Sequence, residues 1–104
     1  MTRFIANYIY YDRSEWRNHI ASISPDRRHI ALEPVSGELA MTRYVPNPLC
    51  ITPHPEEAIR LFRQAASREA FADAWSSAPP AGDQNPLTVL ELNFQNRTAT
   101  PLIL

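Results

Sequence analysis

DRSEWRNHIASI, residues 12–23, is the stretch on which the fold turns. Asp12 and Glu15 stand three apart, as an N-cap and its return partner do in a capping box. Trp16, Ile20 and Ile23 follow at i, i+4 and i+7, the spacing of a single apolar stripe on a helix. Ser24-Pro25-Asp26 closes the segment, because proline cannot continue a helical hydrogen-bond ladder. The spacing therefore predicts a helix, although an unusually short one.

The flanking segments read as strands. RFIANYIYY (3–11) is rich in aromatic and β-branched residues and apolar on both faces, as expected of a strand inside a sheet. In RHIALEPVSGELAMTRYV (28–45), the halves His29–Glu33 and Glu38–Val45 flank PVSG, a turn-forming group, and together predict a β-hairpin. Ile30 and Leu32 share one side of the first half. Leu39, Met41 and Val45 share one side of the second. Arg43 interrupts that side and marks its edge.

PNPLCITPHP (46–55) is a stiff, extended connection. A helix then starts at Pro55, which is welcome in a first turn, with Glu56 and Glu57 at the positive end of its dipole. Ala58, Ile59, Leu61, Phe62, Ala65 and Ala66 form its apolar stripe, and Arg60, Arg63, Gln64 and Ser67 the opposite side. After Ser67 the pattern fails. In RQAASREAFADAW (63–75), Phe71 and Trp75 rotate onto the arginine side. Either the helix breaks near Ser67, which would cap a second helix, or Phe71 and Trp75 are exposed and anchor a partner. SAPPAGDQNP (77–86) is a loop, LTVLELNF (87–94) alternates as a strand, and NRTATPLIL (96–104) is an apolar tail.

The order strand, helix, strand, strand, helix, strand is the ferredoxin-like βαββαβ arrangement. The expectation is a single α+β domain over residues 1–104, with a four-stranded antiparallel sheet and two helices on one face. The opposite face would then be open. Alternation places Phe4, Tyr8 and Tyr10 together there, with Thr42, Tyr44 and Glu91 across neighbouring strands.

Composition narrows the chemistry. Of 104 residues, 44% are apolar and 20% charged, which supports a globular core. The ten basic residues are all arginine, a bias that genome composition explains. Without lysine there is no Schiff-base chemistry and no P-loop lysine. A net charge of −1 argues against nucleic-acid binding driven by bulk charge. The N-terminus lacks the pattern of a signal peptide, no apolar run is long enough for a membrane span, and Cys50 stands alone, so a cytoplasmic location is expected. Asn96-Arg97-Thr98 matches a glycosylation sequon that such a location would leave unused.

No catalytic or cofactor signature emerges. Cys50 and His54 are too few for a structural metal site, and a buried thiol with a loop histidine accounts for them. The two glycines, Gly37 and Gly82, cannot build a phosphate loop. ELAMTRYV (38–45) does not match the third-strand signature of RNA-recognition motifs. Asp12, closing YIYYD, resembles the acidic metal ligand that small CRISPR-associated nucleases of this fold place after their first strand. The resemblance covers that strand alone, and a helix N-cap accounts for Asp12 more economically.

The expected function is that of a small stand-alone module that binds or inhibits another protein, in the class of inhibitors, immunity proteins, antitoxins and phage anti-CRISPR or anti-defence proteins. Phe71, Trp75, Tyr8, Tyr10 and Tyr44 are its candidate contact residues. The alternatives are a dimeric ferredoxin-like enzyme or sensor, with Tyr8, Tyr10 and Tyr44 lining a small-molecule pocket, and an RNA-binding module.

Overall fold

The computed structural model describes residues 1–37, 41–82 and 85–104. In chain order the elements are β1 (Thr2–Tyr11), β2 (Ser14–Ile23), β3 (Ile30–Pro34), β4 (Thr42–Tyr44), β5 (Leu49–Thr52), α1 (Pro55–Gln64), α2 (Arg68–Trp75), β6 (Thr88–Asn93) and β7 (Thr98–Pro101). The fold is α+β, with two helices and a seven-stranded mixed sheet. The sheet runs β3-β2-β1-β5-β6-β7, and β4 also pairs with β1. β1 is parallel to β4 and β5, and the other pairings are antiparallel.

This corrects the ferredoxin-like expectation of a four-stranded antiparallel sheet. Residues 14–23 are a strand. Tyr11 pairs directly with Ser14 across Asp12 and Arg13, whose φ values are +51° and +67°. Positive φ at both central residues is the geometry of a type I′ hairpin turn, which usually employs Asn-Gly or Asp-Gly. The apparent stripe divides. Trp16 and Ile23 pack into one cluster of apolar side chains, and Ile20 faces the other side of the sheet, paired with Ile5. Four consecutive buried residues, Ile20 to Ile23, suit a strand inside a sheet and not a surface helix.

The predicted hairpin is also redistributed. β3 pairs with β2 through a turn in which Ser24 N–H donates to His29 O at 3.0 Å and Arg27 adopts φ +61°. β4 pairs instead with the first half of β1, in parallel. Leu39, assigned to the hairpin's apolar side, lies outside the described residues. Of its two companions, Val45 is buried and Met41 exposed.

Apolar side chains collect in two clusters, separated by the sheet. On β5 and β6, Leu49, Ile51 and Val89 enter one, and Cys50, Leu90 and Leu92 the other. The helices cover only the second, through Ala58, Phe62, Ala65, Phe71 and Trp75. The first holds Phe4, Ala6, Ile9, Ala21 and Ile23, with Leu102 and Leu104 of the C-terminal tail packed against it. Strict alternation on β1 fails between Ala6 and Tyr8. Phe4 and Ala6 join the cluster of Ile9, whereas Tyr8 and Tyr10 join the helices. The switch lies opposite Asn18, a left-handed residue inside β2 with φ +55°.

The long helix breaks where its pattern fails. Ala65 is extended, with φ −84° and ψ 128°, and Ser67 Oγ accepts from Ala70 N–H at 3.2 Å as the N-cap of α2. The Arg97 guanidinium donates to the carbonyls of Phe62, Arg63 and Ala65, satisfying the end of α1.

Candidate partner-binding surface

The five aromatic candidates fall in three places. Phe71 and Trp75 are buried as a stacked pair 5.8 Å apart, with Phe71 edge-on to Tyr10 at 5.1 Å. They are core residues, because the break at Ser67 turns α2 so that this pair meets the sheet. Tyr10 lies beneath them, fully buried.

Tyr8 is half-buried in an ion network at the rim of the same layer. The Arg68 guanidinium stacks over its ring at 3.9 Å, and that of Arg17 lies 5.4 Å from it. Arg68 donates to Glu15 at 2.8 Å and to the Tyr10 hydroxyl at 3.0 Å. Tyr10 and Arg17 each donate to the same carboxylate at 2.8 Å. Burial pushes the Tyr10 hydroxyl well above its ordinary pKa, and the proton it donates to Glu15 adds to that. Burial opposes ionisation of Glu15, but the hydrogen bonds from Arg17 and Tyr10 and the charge of Arg68 outweigh it and hold the carboxyl below its ordinary range. These groups satisfy one another, so the network locks the β1–β2 hairpin to α2. Sequence reasoning missed it, because Glu15 and Arg68 meet only once residues 14–23 are a strand.

Tyr44 alone is presented to solvent, at 64% exposure. It sits on β4 beside Ile5, which pairs in turn with Ile20, and Ile20 with Glu33. These side chains form one row on the sheet face that the helices cover only farther along β1. Next to them, Thr42, Arg3, Ser22 and Ala31 form a second row, and Arg3 pairs with Glu33 at 3.4 Å. Met41, which precedes β4, is 92% exposed. Arg43 points to the opposite face, over the Phe4 ring at 5.0 Å, and donates to Ile103 O at 2.6 Å. The Ile103 side chain is 87% exposed. Tyr44 and Met41 are thus left outside at β4, where the sheet has no helix above it, and Ile103 lies on the opposite face.

The remaining candidates lie away from Tyr44. Cys50 is fully buried, and burial pushes its thiol far above the range in which a thiolate forms. His54 lines an open cleft of about 590 Å³ at the start of α1, with Pro53, Glu56, Glu57 and Arg60. That cleft contains none of the tyrosines. Asp12 accepts from Ala81 N–H at 2.9 Å, which ties down the hairpin tip. Among the described residues, no three His, Cys, Asp or Glu side chains are placed to hold a metal ion, and no helix is long and apolar enough to cross a membrane. No protein-family model, curated protein or solved structure matches the chain.

Proposed function

We propose that this chain is a small binding protein that acts by engaging another protein through the surface around Tyr44. The observation that carries the reading is the exposure of the Tyr44 ring on a strand of three residues, with Met41 exposed just before it. Large apolar groups gathered at the surface mark contact sites, and aromatic side chains dominate the energetics of such contacts. A phosphate-binding surface fits less well. Arg3, Arg17, Arg60 and Arg68 are engaged with carboxylates and are not free for a nucleic-acid backbone.

The test is photo-crosslinking in cells that naturally carry the chain. A benzophenone side chain is placed at position 44 and, in a separate chain, at Arg63 on the exposed side of α1. The reading expects a discrete protein adduct from position 44 alone, competed away by the unlabelled chain but not by a folded Tyr44→Thr variant. Identical adducts from both positions, or equal competition by the variant, would remove Tyr44 from the contact surface.

A further inference from the structure

The backbone of β4 supports a more specific statement about that same surface, and it rests on the reading just given. Val45 N–H donates to Ile5 O at 2.9 Å, and the parallel register sets Tyr44 beside Ile5. In a parallel ladder alternate residues point their peptide groups to opposite sides. Arg43 therefore bonds to β1 through both N–H and C=O, and the N–H and C=O of Tyr44 point the other way. Among the described residues no strand pairs with β4 on that side. β6, the neighbour of β5, stops short of β4. Its last bond in that direction is Leu92 N–H to Pro48 O at 2.8 Å, and it ends at Asn93 in a turn. Pro46, Asn47 and Pro48 interrupt the strand between β4 and β5, so the ladder cannot continue across them.

An open edge with an exposed aromatic beside it is a template for an added strand. We infer that β4 takes up an extended segment of a partner protein by edge pairing at Tyr44, and that this segment carries a carboxylate at the rung of Arg43. The charge argument selects this occupant. Arg43 is exposed, and its contacts are a carbonyl and a ring, with no carboxylate among the described residues. A second copy of the chain is a poor fit. An antiparallel pair of β4 strands centred on residue 43 sets Arg43 against Arg43, a like-charge pair. Centred on residue 44, it sets Thr42 against Pro46, which has no N–H to give.

The experiment pans a phage library of random linear dodecapeptides against the immobilised full chain, then titrates the recovered peptides. Two altered chains discriminate. In one, the Tyr44 amide is N-methylated by joining synthetic residues 1–49 to expressed residues 50–104 at Cys50. This removes the outward N–H and leaves the side chain and the β1 ladder in place. The other is Arg43→Glu, made by expression, which remains informative if the ligated chain refolds poorly. The inference expects acidic, β-branched peptides without proline, whose affinity falls by about tenfold or more on N-methylation. It also expects Arg43→Glu to recover basic peptides instead. Failure to enrich any peptide, binding indifferent to N-methylation, or the same peptides on Arg43→Glu would overturn edge pairing. Crosslinking at position 44 that survives such a result would keep the contact surface and discard only the strand-addition mode. A dimeric mass in light scattering that Tyr44 N-methylation abolishes would also overturn it, with the second copy as occupant.

Discussion

The two halves of β1 have different surroundings. From Tyr8 to Tyr11 the strand lies between β2 and β5, with α2 packed over it and a carboxylate shared by two arginines and a tyrosine at its rim. From Thr2 to Ala6 it lies between β2 and β4, a strand of three residues, and one face there has no helix above it. The Tyr8–Tyr11 half is where the helices hold the fold, and the Thr2–Ala6 half is where the chain has side chains and peptide groups to offer. Local sequence does not separate them, since Phe4, Ile5, Tyr8 and Tyr10 are all large and apolar. The separation comes from where α2 lands and where β6 turns away.

The largest expected contrast follows. Phe71→Ala opens a cavity against Tyr10, Trp75 and Phe94 in the covered half. It should cost about 3–5 kcal/mol, the range for truncating a buried phenylalanine. Urea denaturation followed by tryptophan fluorescence reads this directly. A loss under about 1 kcal/mol would mean that α2 is not the lid of this core.

That break in the helix could be seen in the residues themselves. Glu69 and Asp73 rotate onto an apolar stripe, Ser67 is a good N-cap, and Phe71 and Trp75 stand four apart. β1 and β6 also announce themselves, the first by apolar residues on both faces and the second by alternation. β2 does not. A spacing of four residues falls on one side of a helix and on one side of a regular strand alike, so Trp16 and Ile20 could not discriminate, and only the left-handed Asn18 between them sends the two to opposite faces. Asp12 and Glu15 imitate a capping box, and Arg13 fills a position where glycine would have signalled a hairpin. The parallel pairing of β4 with β1 is a contact between segments some forty residues apart, and no local pattern encodes it. Tyr44 was therefore visible as a candidate, and Arg43 as a likeness of an edge, but the open backbone beside them was not.

The second contrast uses pH. Glu15→Gln leaves the shape of the covered rim and removes the charge that Arg17 and Arg68 face. At neutral pH it should cost about 1–3 kcal/mol, as expected for hydrogen bonds to a charged group. Because folding lowers the Glu15 pKa, the stability it contributes is present in full above the unfolded carboxylate value of roughly 4.3. It is lost as pH falls through the lower, folded value. The gap between the original chain and Glu15→Gln should therefore narrow on acidification below that range. A gap that stays constant with pH would show that the variant acts through packing and not through the carboxylate.

The smallest effect tests the other half. Tyr44→Thr replaces an aromatic residue by a β-branched one, both favoured in strands, so strand propensity changes little. With most of its ring already in water, Tyr44 surrenders little buried area, and the substitution should move stability by no more than about 0.5 kcal/mol. The same urea experiment reads it. A cost above about 1 kcal/mol would mean that the ring packs over Ile5 and Ile20 in solution and completes the sheet face. Tyr44 would then be doing for the first half of β1 what Phe71 does for the second. A near-zero cost, set beside several kcal/mol for Phe71→Ala, leaves a large aromatic residue that folding does not require. Such a residue on the edge strand is what a contact site at Tyr44 calls for.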